Sequence, residues 1–269
     1  MPKIISFNAF LRGTGKSNLA ANAATLLAQG GRRVGVVDLD ESAPTLHLIF
    51  GLPASDVSST LGDFLAGRCP VQETAYEVTP QQLQGSGGGI FLAPLSIEPG
   101  WMLNALRRGL DTELLSSGLR DLTDRLALDF LIIDSNSGIN ELSLTLLAMS
   151  DVAAVVLRLD KHDYQGTAVI VELARKLEVP RLALIVNMTP ATFDPAAVRA
   201  KVAETYGCEV AAVLPYSDRM AVRGGPGLFV LEYPDHPLTA ALRSTVNLPW
   251  IGSSVSTTGA LRVAQGNGT

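Results

Sequence analysis

Cysteine is scarce in this chain, with two among 269 residues. Cys69 and Cys208 form no CxxC pair and stand in no His/Cys cluster, so neither a disulfide framework nor a zinc site is indicated. No apolar run approaches the ~18 residues that a membrane span requires. Positive charge is short as well: 21 Lys and Arg against 26 Asp and Glu leave a net charge of −5. Tight binding to nucleic acid through bulk charge is thereby disfavoured, although a local basic face is not. The opening MPKIISFNAF reads as a first strand rather than a cleaved leader. With two ordinary thiols and no span, the expectation is a cytoplasmic protein without membrane contact.

Apolar residues are plentiful. A chain of this length buries about three quarters of its unfolded surface, which suits one large α/β domain. The runs KIISF (3–7), RVGVVD (33–38), GIFLAP (89–94), DFLIID (129–134), VAAVVLR (152–158), RLALIVN (181–187) and VAAVLP (210–215) read as strands. They are continuously apolar rather than alternating, as strands covered on both faces of a parallel sheet are. Helical patterns fall between them at 17–29, 101–127, 140–150, 164–178 and 195–206. The alternation predicts a doubly wound, mainly parallel sheet of about seven or eight strands with helices on both faces. One domain is expected over 1–248. Residues 249–269, rich in Gly, Ser and Thr, are expected to be a disordered tail.

The stretch FLRGTGKSN (10–18) lies between the first strand and the first helix, the context of a phosphate-binding loop. Backbone N–H groups at a helix start attract phosphate, and the helix dipole favours its charge. Gly13 and Gly15 would let the backbone approach, with Thr14 and Asn18 completing the turn. Lys16 would reach the β- and γ-phosphates, and Ser17 would ligate Mg²⁺. The full pattern wants glycine where Phe10 stands.

These residues resemble the MinD/ParA family of deviant-Walker P-loop ATPases, whose loop reads K-G-G-x-G-K-[ST]. Gly13, Gly15, Lys16 and Ser17 match. Leu11 stands in place of the family's signature lysine and Arg12 in place of a glycine. VVDLDESAP (36–44) is similar to the family's strand ending in D-x-D. By that resemblance Asp40 would orient the attacking water and Asp38 would sit near Mg²⁺; either alone would also serve as a turn aspartate. FLIIDSNSG (130–138) resembles the Walker B strand and switch, with Asp134 holding Mg²⁺ through water and Gly138 letting the switch loop swing. The family's prolines are absent from Ser135–Ser137, which predicts a looser switch. LIVN (184–187) matches the strand whose Asn187 would read adenine, and Pro215 would border it. The loop AFLRGTGKSN and the segments LRLDKHDYQGTAV (157–169) and EYPDHPLT (232–239) look like the McdA-like, carboxysome-positioning subset. The fold implied is the P-loop NTPase (SIMIBI-like) sheet.

The resemblance implies an ATPase with ATP and Mg²⁺ as cofactors, working as a homodimer that sandwiches ATP. It would position a cargo through an adaptor protein, on a surface such as nucleoid DNA bound without sequence preference. A non-hydrolysing scaffold of the same fold is the alternative. An Fe–S ATPase is disfavoured because no paired cysteines flank the loop or switch. Two cations remain open as replacements for the signature lysine: Lys161, at the carboxyl edge of the sheet and taken first, and Arg12 in the loop. Arg107, Arg108, Arg120 and Arg125 share the predicted helix 101–127 with Asp111, Glu113, Asp121 and Asp124. They read as a solvated mixed face ahead of a weak DNA-binding patch.

Overall fold

The computed structural model describes residues 2–222 and 226–246. Eight strands form one sheet: β1 (Lys3–Asn8), β2 (Arg33–Leu39), β3 (Tyr76–Glu77), β4 (Gly89–Ala93), β5 (Phe130–Ser135), β6 (Val152–Leu157), β7 (Arg181–Thr189) and β8 (Glu209–Pro215). Their order is β3-β4-β2-β5-β1-β6-β7-β8. Every pairing is parallel except that of β3 with β4. The two-residue antiparallel strand β3 at the edge was not expected from the sequence, being too short to carry a pattern.

The helices are α1 (Lys16–Gln29), α2 (Leu46–Ile49), α3 (Leu61–Leu65), α4 (Pro99–Arg108), α5 (Thr112–Arg125), α6 (Glu141–Ala148), α7 (Lys161–Lys176), α8 (Pro195–Tyr206), α9 (Asp218–Ala221), α10 (Phe229–Glu232) and α11 (Pro237–Val246). The expected single helix over 101–127 is two. Gly109 at φ 73° and ψ −177° breaks it. Asp111 then restarts it by accepting a hydrogen bond from the Leu114 N–H at 2.9 Å. Arg107 and Arg108 therefore end α4, while Arg120 and Arg125 lie on α5 and Arg125 pairs with Asp121. The tail expected over 249–269 lies outside the described residues. Among the described residues no helix is long and apolar enough to cross a membrane.

Strand neighbours divide between two apolar layers. Ile132 and Val36 pack with α1, α10 and α11 residues such as Leu27, Phe229 and Leu242. Ile133 and Val37 pack on the opposite face with Leu115 and Leu119 of α5 and Leu146 of α6. A third cluster sets Val155 and Val186 against α7 and α8. This two-sided burial is why the strands read as unbroken apolar runs; each such side chain contributes about 1.5–3 kcal/mol on burial. α1 lies against the sheet through Ala20, Ala24 and Ala28, all fully buried.

β1 is central, with β5 on one side and β6 on the other, so the loop after it opens at the sheet's carboxyl edge, where ligands bind in this architecture. That loop begins with Phe10, whose ring lies against Gly166 of α7. A Cβ added at Gly166 would sit 2.0 Å from ring carbons. Phe10 thus fastens the start of the loop to α7. Gly166→Ala is expected to lose stability, because overpacking costs about 1–3 kcal/mol and alanine's better helix propensity returns at most about 1 kcal/mol. Urea denaturation checks this, and adding Phe10→Ala should recover part of the loss.

Candidate nucleotide site

The Gly13–Ser17 turn is built from two glycines in the left-handed region, at φ 75° for Gly13 and 86° for Gly15. Side-chain-bearing residues rarely hold such angles. Gly15 caps α1, and its carbonyl accepts from the Leu19 N–H at 3.0 Å. The turn borders a cavity of about 760 Å³ lined by Arg12, Gly13, Thr14, Gly15, Lys16, Ser17, Asn18, Asp40 and Ser137 among others. The structure brings these loop residues and Asp40 to one place. Asp38, Asp134, Asn187, Pro215 and Lys161 lie off the cavity lining.

Lys16 and Asp134 form a buried ion pair at 2.5 Å, with the lysine 5% and the aspartate 0% exposed. The pair joins the start of α1 to β5. Burial pushes the Asp134 carboxyl above its ordinary range, while the Lys16 charge and the Ser17 hydroxyl draw it back. Its second oxygen, Oδ2, is buried and completes no hydrogen bond among the described residues. An orphaned carboxylate oxygen beside a serine hydroxyl at a phosphate loop fits a divalent cation held by Ser17 and Asp134.

Asp38 is fully buried and accepts N–H bonds from Asp40, Thr45 and Leu46 at 3.2, 2.9 and 2.9 Å. Both its oxygens thus hold the loop that carries Asp40. Burial, reinforced by the neighbouring Asp134, raises its pKa to about 7. Asp40 faces the cavity and accepts from the Ser42 hydroxyl at 2.7 Å; Ser42 in turn accepts from Arg12. Arg12 therefore reaches over the phosphate loop towards Asp40 within one chain. Lys161 is the exposed first residue of α7 and lines a separate cavity with Tyr164, Phe193 and Lys201.

The switch after β5 differs from the expectation of looseness. Ser135 is fully buried and its hydroxyl donates to the Phe7 carbonyl at 2.8 Å. The Gly138 N–H bonds the Ala9 carbonyl at 3.0 Å. Hydrogen bonds to β1 and to the residue following it hold both ends of this segment. Gly138 has φ 89°, so a side chain there would be strained.

His47 went unnoticed in the sequence. It lines the cavity from α2, is 7% exposed, and burial lowers its imidazole pKa, keeping it neutral at physiological pH. Its Nδ1 is without a hydrogen-bond partner among the described residues. A lone histidine seven residues beyond Asp40 carries no pattern that would have found it.

Residues 2–182 match the AAA domain family. The chain belongs to that family. It is 29% identical over 232 residues to an "uncharacterized ATP-binding protein" of Methanocaldococcus jannaschii, covering 86% of this chain and 81% of the other. It is 28% identical over 254 residues to an iron-sulfur cluster carrier protein of Aquifex aeolicus, covering 90% of this chain and 65% of the carrier. Among solved structures, the MinD of Pyrococcus horikoshii complexed with Mg-ADP superposes with a TM-score of 0.74 at 22% identity, over 91% of this chain and 94% of that one. The McdA of Cyanothece gives 0.72 at 18% identity, over 91% and 100%. The fold is thus that of the MinD/ParA P-loop ATPases, and these likenesses do not single out the McdA-like subset.

Removing Lys16 from an AAA-domain site of this kind leaves the buried Asp134 charge alone. Lys16→Ala is expected to cost about 3–5 kcal/mol at neutral pH, the usual cost of breaking a buried pair from one side. Without its lysine Asp134 titrates higher still. The folded-state pKa then lies above the unfolded one, so the penalty is absent at low pH and grows as pH rises through the folded value. Denaturation of both proteins at pH 5 and pH 8 checks this: the deficit should be smaller at pH 5.

Proposed function

We propose that the chain is an ATP–Mg²⁺-binding, dimerising switch of the MinD/ParA type with slow ATP hydrolysis. The observation that carries this reading is the intact phosphate half of the loop, Gly13 to Ser17, with Lys16 and Asp40 at one cavity. Bound ATP–Mg²⁺ would supply the transferable γ-phosphoryl group, with Gly13, Thr14, Gly15, Lys16, Ser17 and Asn18 around the phosphates and Ser17 and Asp134 as metal holders. Lys16 leaves Asp134 for the phosphates, and that exchange frees a carboxylate oxygen. Asp38 keeps the Asp40 loop in place. Asp40, already at the cavity wall, orients water and takes its proton. Pro215, at the end of β8, and Asn187 are the candidate neighbours of the base.

In this reading the output is a homodimer that recruits an adaptor or cargo protein in the cytoplasm, without a membrane. Non-specific DNA, such as the nucleoid, would use the exposed Arg107, Arg108 and Arg120. The McdA-like assignment rests on the loop and on the segments at 157–169 and 232–239.

A non-hydrolysing scaffold is the second reading, favoured by Leu11 where the family carries its signature lysine. An iron-sulfur carrier role, borne by the names of several relatives, draws no support from Cys69 and Cys208. Cys69 precedes the β3 edge of the sheet and Cys208 precedes β8 at the opposite edge.

Asp40→Ala should keep ATP affinity in calorimetry and lower turnover by at least about 100-fold, as loss of a general base does. Wild-type turnover in that variant would remove Asp40 from the chemistry. The replacement cation is decided by single variants and a mixture. Arg12 acts in the chain that carries it, whereas Lys161 acts only across a dimer. A loss of at least about tenfold in Lys161→Ala, restored on mixing with Lys16→Ala, assigns the role to Lys161. An unrestored loss confined to Arg12→Ala assigns it to Arg12. No effect of either favours the scaffold.

A further inference from the structure

β7 is irregular at the point where it passes the phosphate loop. Its register with β8 shifts between Val186 and Thr189, and Met188 sits in the left-handed region at φ 55°. In a regular strand successive side chains alternate between faces. Ile185 packs on the α1 face and Val186 on the α7 face, so Asn187 returns to the α1 face and Met188 would leave it. The bulge overrides the alternation. A Cβ on Gly15 would lie 2.6 Å from Asn187 Nδ2 and 3.5 Å from Met188 Cε. Two consecutive side chains of β7 therefore face one residue of the phosphate loop. A non-glycine residue held at positive φ is strained, and the surrounding structure must impose it.

The contact made there is specific. Asn187 is 7% exposed, and its Nδ2 donates to the Thr14 carbonyl at 2.8 Å. The carbonyl only accepts, so the amide nitrogen is the end that faces it. Thr14 is itself 1% exposed. In a planar trans peptide the C=O and the following N–H point in opposite directions. Tying the Thr14 carbonyl down to β7 therefore turns the Gly15 N–H away from β7. The next peptide is fixed from the other side, because the Gly15 carbonyl already accepts from Leu19 at 3.0 Å.

We propose that Asn187 is a positioning residue for the phosphate loop: its amide fixes the Thr14–Gly15 peptide so that the Gly15 N–H serves any polyphosphate, whatever the base. The proposal rests on the nucleotide reading above and departs from a base-reading role for this side chain. The bulge at Met188 is the device that delivers Asn187 to the loop, and Gly15 is the residue whose missing side chain gives it room.

The test compares wild type, Asn187→Ala and the near-isosteric Asn187→Leu, which retains volume if the alanine variant does not fold. Binding of ATP, GTP and inorganic tripolyphosphate, each with Mg²⁺, is measured by calorimetry, alongside the Tm without ligand. The expected result is a parallel loss of about tenfold or more in affinity for all three ligands, the scale of one hydrogen bond withdrawn from an ordered anion site. A loss for ATP alone, with tripolyphosphate binding unchanged, makes Asn187 a base reader and overturns the proposal. A lower Tm with all three affinities unchanged overturns it too, since the contact would then be structural only. Wild-type protein that binds none of the three refutes the nucleotide reading itself, a result separate from either.

Discussion

The site depends on one buried ion pair. Lys16, at the start of α1, is held by Asp134, at the end of β5, with both side chains out of water. A buried charge without a partner is costly, so each residue is committed to the other until a better partner arrives. A phosphate offers that to Lys16, and a divalent cation offers it to Asp134. In the proposed function nucleotide and metal would be coupled through a single exchange, because each ligand would relieve the charge that the other strands. The pair also ties α1 to the sheet beneath the loop.

Around this pair the carboxylates divide their work by environment. Asp38 spends its oxygens on three backbone N–H groups and holds a loop. Asp40, two residues on, keeps its carboxylate at the cavity, with Ser42 and Arg12 beside it. Asp134 carries the lysine. Desolvation raises the Asp38 and Asp134 carboxyls, with Asp134 adding to the rise at Asp38 and Asp40 to that at Asp134, so Asp38 titrates near neutrality. The stability of the unliganded protein is accordingly sensitive to pH, with Asp38 favouring the folded state most on the acid side of its folded pKa.

The departures from the family pattern have definite places. Phe10 stands where the full loop pattern has glycine, and its ring fills the space that Gly166 leaves on α7. Leu11 shares a surface cavity with Phe10, Arg158 and Val169, so the position of the family's signature lysine is apolar in this chain. Ser135, in a switch segment without proline, is held by a hydroxyl bonded to β1. In each case a local substitution is compensated by a neighbour distant in sequence.

The sequence by itself determined the strand order's raw material and the phosphate loop. Unbroken apolar runs between helical patterns can only be strands covered twice, and glycines at 13 and 15 before Lys16 and Ser17 require backbone angles that other residues avoid. These are local properties, written in consecutive residues. Where the sequence failed, the deciding contact was distant or the pattern too short. Gly109 and Asp111 split the helix expected over 101–127, a punctuation visible in the sequence but outweighed by its long apolar period. Only the tertiary structure decided that Asp38 faces backbone amides while Asp40 faces the cavity, that Arg12 and not Lys161 borders that cavity, and that Asn187 touches the Thr14 carbonyl. Such outcomes depend on which side a chain segment turns after its strand ends. That turn is set by partners up to 173 residues away, which no local spacing encodes.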